Sequence, residues 1–131
     1  MSHYTTIQTE FTDAEVLEEA VHDLGFPVET GRSLPLYDYA GRQTGQKADL
    51  VIRRKHLTSV SNDIGFRKVG DQHKAIISDY DEVKVRKGNF LRELTQRYNY
   101  LKVKKEVARQ GLKLIKEKSH VDGTIELVVT T

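Results

Sequence analysis

The chain has 131 residues, 37% of them apolar and 31% charged, with no cysteine and a formal net charge of +2. A chain of this length closes around one hydrophobic core, and the missing thiols exclude a disulfide framework, thiolate metal ligation, iron–sulfur clusters held by cysteines of this chain and thiol catalysis. No apolar run approaches the roughly 20 residues that a membrane-spanning helix needs, and residues 1–6 carry no cationic and apolar leader pattern, so a cytoplasmic protein off the membrane is expected.

Residues 3–11 alternate Thr5, Ile7, Thr9 and Phe11 against Tyr4, Thr6, Gln8 and Glu10, which predicts a β-strand. Thr12 followed by Glu15 has the form of a capping box, and Val16, Leu17, Ala20, Val21 and Leu24 then mark one helical face. Gly25 and Pro27 end that helix. Residues 34–39 and 48–53 flank a polar glycine-containing loop and predict a hairpin. Ile64-Gly65-Phe66 and Ala75-Ile76-Ile77 predict a second. Residues 56–62 carry no clear period and are compatible with a loop. Over residues 89–110 the period is helical, with Phe90, Leu91, Leu94, Tyr98, Leu101 and Ala108 on one face, Asn89 as the cap and Gly111 as the stop. Residues 112–115 and 124–129, joined near Asp122-Gly123, predict a closing hairpin. This order predicts a single α+β domain over residues 1–131: an antiparallel sheet, two main helices on one of its faces, and a C-terminal β-hairpin.

The charges are segregated. Residues 10–38 hold Glu10, Asp13, Glu15, Glu18, Glu19, Asp23, Glu29 and Asp38 against Arg32, whereas residues 84–118 are dominated by lysine and arginine. On the helix 89–110, cations interleave with aromatics at Arg92, Arg97, Tyr98, Tyr100, Lys102, Lys104 and Lys105. Cations neutralise phosphates and tyrosines stack on bases, so Arg92, Arg97, Lys102, Lys104 and Lys105 form a candidate surface for RNA or single-stranded DNA. The competing reading is a solvated helix whose cations offset the acidic first third across the fold. Tyr100, Val103 and Val107 form a second apolar stripe on the same helix; together with Arg97 they are the candidate protein-binding residues.

No catalytic constellation emerges. His3, His22, His56, His73 and His120 are scattered without ligand spacing. Asp79 and Asp81 share a face if their segment is extended, and His120 with Asp122 flanks a turn, but neither pair has a third ligand. The glycines match no phosphate-binding loop, and no serine has a nucleophile-elbow context. No cofactor, metal or catalytic residue is assigned.

Met1-Ser2-His3, Asn62-Asp63-Ile64-Gly65-Phe66, Leu94-Thr95-Gln96-Arg97-Tyr98-Asn99-Tyr100, Gln110-Gly111 and Asp122-Gly123-Thr124-Ile125, in this order and at these spacings, resemble the hypothetical chloroplast reading frame thirty-five family. Its members are uncharacterised proteins of algal plastids, cyanobacteria and other bacteria. The resemblance covers essentially the whole chain and implies no established activity or cofactor. It implies an accessory or adaptor role, because bacterial members can be encoded near an AAA-type ATPase and a small ferredoxin-like protein, and a plastid stroma location where the gene is plastid-encoded. The expected function is therefore a non-enzymatic interaction protein with a protein partner, an AAA-type ATPase among the candidates. Nucleic-acid binding through 89–110 is the alternative, and homo-oligomerisation is left open.

Overall fold

The computed structural model describes residues 3–131; Met1 and Ser2, which open the family-like segments, lie outside the described residues. Strands β1 (Tyr4–Ile7), β2 (Glu29–Tyr37), β3 (Gln43–Ile52), β4 (Ile64–Val69) and β5 (Gln72–Ser78) pair antiparallel in the order β1-β5-β4-β3-β2. Helix α1 (Ala14–Asp23) follows β1, α2 (Asp79–Lys84) follows β5, and α3 (Phe90–Arg109) precedes a separate hairpin of β6 (Lys113–Ser119) and β7 (Ile125–Thr130). The expected α+β architecture, with two main helices on one sheet face, is the one observed.

The core follows from the two periodicities. Helix α1 buries Val16, Leu17, Ala20 and Val21, and α3 buries Phe90, Leu94 and Tyr98. They pack on Leu50, Ile52, Ile64, Phe66, Ala75 and Ile77 from one face of the sheet. Each of the larger aliphatic and phenylalanine side chains among these contributes roughly 1.5–3 kcal/mol on leaving water. Phe11 stands between the layers, with ring centroids 4.8 Å from Tyr98 and 6.1 Å from Phe66. The other face buries Leu36, Ala48, Val51 and Ile76, with Leu34 and Tyr4 packed against them. Ala48 and Leu50 would share a face of a regular strand, yet they pack on opposite faces of this sheet, so β3 changes phase at Asp49. The register with β2 shifts at the same level, between Thr30 and Leu34. Gly65 is required beneath this second cluster: a Cβ there would lie 2.6 Å from the Cβ of Ala48.

Several local expectations are corrected. The first strand stops at Ile7, not at Phe11, because its ladder with β5 ends at the Ile7–Ala75 pair; beyond it the Thr9 hydroxyl donates to the His73 carbonyl and Phe11 turns into the core. The cap of α1 is Asp13, whose Oδ1 accepts from the Val16 amide at 3.1 Å, and not Thr12. Asn89 precedes α3 without a capping side-chain bond. Asp79 and Asp81 lie on α2, not on an extended strand, so two positions apart they diverge: Asp81 is fully buried and Asp79 exposed. Ala108, expected on the core face of α3, is exposed because the core contact ends above it. Residues 56–62 contain no strand; a short 3-10 turn, Arg54–His56, leads into loop.

That loop ends in a buried polar knot. Asp63, 1% exposed, accepts from the amides of Tyr37 (2.8 Å) and Arg54 (2.7 Å) and from the Arg53 guanidinium (2.8 Å). Arg53 also reaches Glu29 at 2.7 Å and the Pro35 carbonyl at 2.7 Å. Beside it, Asp81 Oδ2 accepts from the Asn62 amide (2.9 Å) and the Ser78 hydroxyl (2.7 Å). The Tyr4 phenol donates to the Asp63 carbonyl at 2.7 Å, and burial followed by the Asp63, Asp81 and Asp38 charges pushes it well above the usual phenol range. The Asn62-Asp63-Ile64-Gly65-Phe66 segment is thus a cross-brace between β2, the end of β3, β4 and α2.

Candidate functional site

Helix α3 touches core, α1 and hairpin with three different sides. Its first side is the buried face. On the second, the Tyr98 hydroxyl accepts from the amides of Thr12 and Asp13, both at 3.0 Å, and so helps to satisfy the free donors at the start of α1. Arg97 pairs with Asp23 at 2.7 Å, while Lys102 and Lys105 reach the same Asp13 carboxylate at 3.3 and 2.6 Å. Partial burial pushes the Asp13 carboxyl up. The Lys105 ammonium, the Val16 amide and Lys102 together outweigh it and hold the group down at about 2. Three of the five candidate nucleic-acid cations are therefore turned onto α1, which is the acid–base offset that the charge segregation implies. Arg92 stays exposed, and Lys104 lies 5.1 Å from the centre of the Tyr100 ring.

The third side carries the second apolar stripe. The stop of α3 sets what it meets: Gly111 takes a left-handed φ of +73°, and the Leu112 amide returns to the Val107 carbonyl at 3.0 Å, so the chain doubles back along the helix. Seven residues of β6 cover about 23 Å, and the stretch of helix from Gln110 back to Gln96 covers about 21 Å. The hairpin tip accordingly arrives at Gln96, whose Nε2 donates to the Asp122 carbonyl at 3.3 Å, and Gly123, with φ +91°, leaves room for that amide.

Between helix and hairpin lies a groove of about 440 Å³, lined by Tyr100 and Val103 on one wall and Ile125 and Leu127 on the other, with Gln96 and Asn99 also on the helix wall. A smaller depression of about 190 Å³ continues past Val107, Ala108, Leu112 and Leu114. The stripe Tyr100, Val103 and Val107 is thus neither core nor free: the hairpin faces it and does not fill it. Val103 remains 47% exposed, and the hairpin itself shows Leu114, Ile115, Val128 and Val129 to solvent. Arg97 and Lys104 flank the groove through Tyr100, at 4.7 and 5.1 Å from its ring centre. The groove-forming hairpin wall was not identifiable from residues 124–129 alone, which read as architecture.

Other sites assemble less. The His120 ring meets Glu126 at 3.0 Å and the Asp122 carboxylate is taken by the Thr124 amide (3.0 Å) and hydroxyl (2.7 Å), so each already has a partner within the hairpin. A polar cleft of about 750 Å³ beside Glu15, Glu18, Arg32, Asp49 and Lys68 has Asp49 occupied by the Lys68 amide at 2.8 Å. Among the described residues, no group of three or more His, Asp or Glu is placed to hold a metal, and no helix is long and apolar enough to cross a membrane.

Fold and groove together define a small α+β protein that braces its secondary elements with buried polar contacts and leaves a helix–hairpin surface unfilled. The chain belongs to the family described as a protein of unknown function, DUF1257, which it matches over residues 20–128. It is 30% identical, over 98% of its own length and 96% of the relative's, to the uncharacterized protein ycf35 of Pyropia yezoensis. It is 32% identical, over the same shares of the two chains, to the uncharacterized protein ycf35 of Cyanophora paradoxa. The family resemblance read from the ordered segments is thereby shown. No solved structure matches the chain.

Proposed function

We propose that this protein is a non-enzymatic interaction protein that grips a protein partner in the groove between α3 and the β6–β7 hairpin. The observation that carries the reading is the unfilled apolar groove, bounded by Tyr100 and Val103 against Ile125 and Leu127. An isolated two-stranded hairpin is marginal in water, and this one leaves apolar side chains exposed where a partner would cover them. An AAA-type ATPase is the first partner to try, on the ground of the family resemblance. The nucleic-acid reading is the weaker one, since Arg97, Lys102 and Lys105 already face the carboxylates of Asp23 and Asp13.

A photo-crosslinking residue at position 103, compared with one at the exposed Val83 outside the groove, tests this in cells of a host that carries the native gene. The expected result is a discrete protein adduct from position 103 that is absent at 83 and lost with Tyr100→Ala. Equal labelling from both positions, or labelling of nucleic acid alone, would overturn the proposal.

A further inference from the structure

Resting on that reading, we infer that the groove's occupant is an extended, acidic-flanked segment of a partner protein, which adds as a third strand to the free edge of β7 and sends alternate apolar side chains between Tyr100, Val103, Ile125 and Leu127. Three observations favour this occupant. First, β7 pairs only with β6 among the described residues, so its other edge offers unpaired backbone donors and acceptors. Second, the two edges of the hairpin are defended unequally. Strand β6, with Lys113, Lys116, Glu117 and Lys118, carries the charges that discourage edge pairing, whereas β7 has Glu126 as its one charged residue and otherwise presents Ile125, Leu127, Val128 and Val129. The bare edge is the one whose residues line the groove. Third, the groove holds about 440 Å³, enough for a row of side chains but for only about one turn of an α-helix some 10 Å across.

Charge selects the chemistry of the segment. Arg97 and Lys104 flank Tyr100; Arg97 is already met by Asp23, and Lys104, which takes part in no ion pair among the described residues, is the free cation beside the groove. A segment flanked by carboxylates meets Lys104 with complementary charge.

The probe is a blocked peptide with a valine–threonine–valine–threonine–valine centre between glutamates, titrated into the full chain and compared with the same centre between lysines. Two further versions are N-methylated at all valine amides or at all threonine amides. In a strand these two amide sets point to opposite edges, so only one set faces β7. Strand addition predicts saturable binding of the acidic peptide, at least tenfold weaker binding of the lysine version, at least tenfold loss in one N-methyl isomer only, and slowed amide exchange along β7. Val103→Glu, at a site exposed enough to leave the fold intact, should weaken the acidic peptide at least tenfold. Retained affinity in both N-methyl isomers would overturn strand addition while leaving the groove as an interface. A wild-type dimer dissolved by Val103→Glu, with no peptide binding, would make the occupant a second copy and overturn the acidic-segment inference. A monomer that binds none of the peptides, yet still gives the position-103 adduct, would overturn this occupant alone; loss of the adduct as well would remove both proposals.

Discussion

The phenolic oxygen of Tyr98 and the backbone of Asp13 are 85 positions apart in the chain and 3.0 Å apart in the fold. A side chain of α3 thus holds the entry of α1, and the same Asp13 uses its carboxylate both to cap α1 and to receive Lys102 and Lys105.

Tyr98→Phe keeps the ring that packs on Phe11 and removes only the acceptor for two amides. The expected loss is about 1–2 kcal/mol of unfolding free energy, measured by urea denaturation, with an unchanged m-value.

Asp13 gives the fold an acid-sensitive contact. Its folded-state value of about 2 lies below the ordinary 3.8, so its contribution is fully present above roughly pH 5 and is lost as pH falls through 2. Asp13→Asn retains a capping oxygen but not the charge. The variant should be less stable than the parent at pH 7, by an amount that shrinks with added salt, and the two should converge only as the pH falls below about 2. Thermal melts across that range check the convergence; a constant difference at all pH values would assign the effect to capping instead.

Asp63→Asn tests the knot behind the sheet. It replaces an acceptor of three donors with an amide that must turn one of its own donors toward them, while Arg53 keeps Glu29 and the Pro35 carbonyl. Leaving a buried donor unsatisfied costs about 1–3 kcal/mol, and denaturation should show it.

Gly123→Ala should act on the hairpin and spare the body. A Cβ there would sit 2.5 Å from the Gln96 Oε1 and on a backbone with φ +91°, so the turn shifts and its contact with Gln96 is given up. Hydrogen exchange should quicken by about tenfold in residues 113–130, while exchange in β3, β4 and β5 stays as in the parent.

Where turn chemistry and alternation agree, the chain could be read directly. The hairpins predicted across residues 40–46, Gly70 and Gly123 are all present, the first closing more tightly over residues 38–42 because Gln43 already pairs with Tyr37, and so are both main helices. Misplaced boundaries trace to contacts from far along the chain: Thr12 yields the cap to Asp13 where its own amide meets Tyr98, and the first strand stops where β5 ceases to pair with it. Of the polar knot, Ser78 and Asp81 carry the local spacing of a helix cap, but their meeting with Asn62 and Asp63, 15 or more positions away, comes only through the fold. For the candidate site, the stripe Tyr100, Val103 and Val107 was visible as a surplus of apolar residues on one helix. Its counterpart Ile125 and Leu127 was not, because a strand's alternation shows that it has two faces without naming what either one meets.

The braces also predict an order of events in folding. The β4–β5 hairpin closes across a turn at Gly70, a local step of microseconds. Seating β1 on the far side of β5, and tying the start of α1 to Tyr98 across 86 positions, demands closure of most of the chain. Substitutions in β4 and β5 should therefore slow refolding, whereas those at Tyr4, Thr12 or Tyr98 should chiefly hasten unfolding, so that the helix entry and the outermost strand govern how long the native state lasts once formed.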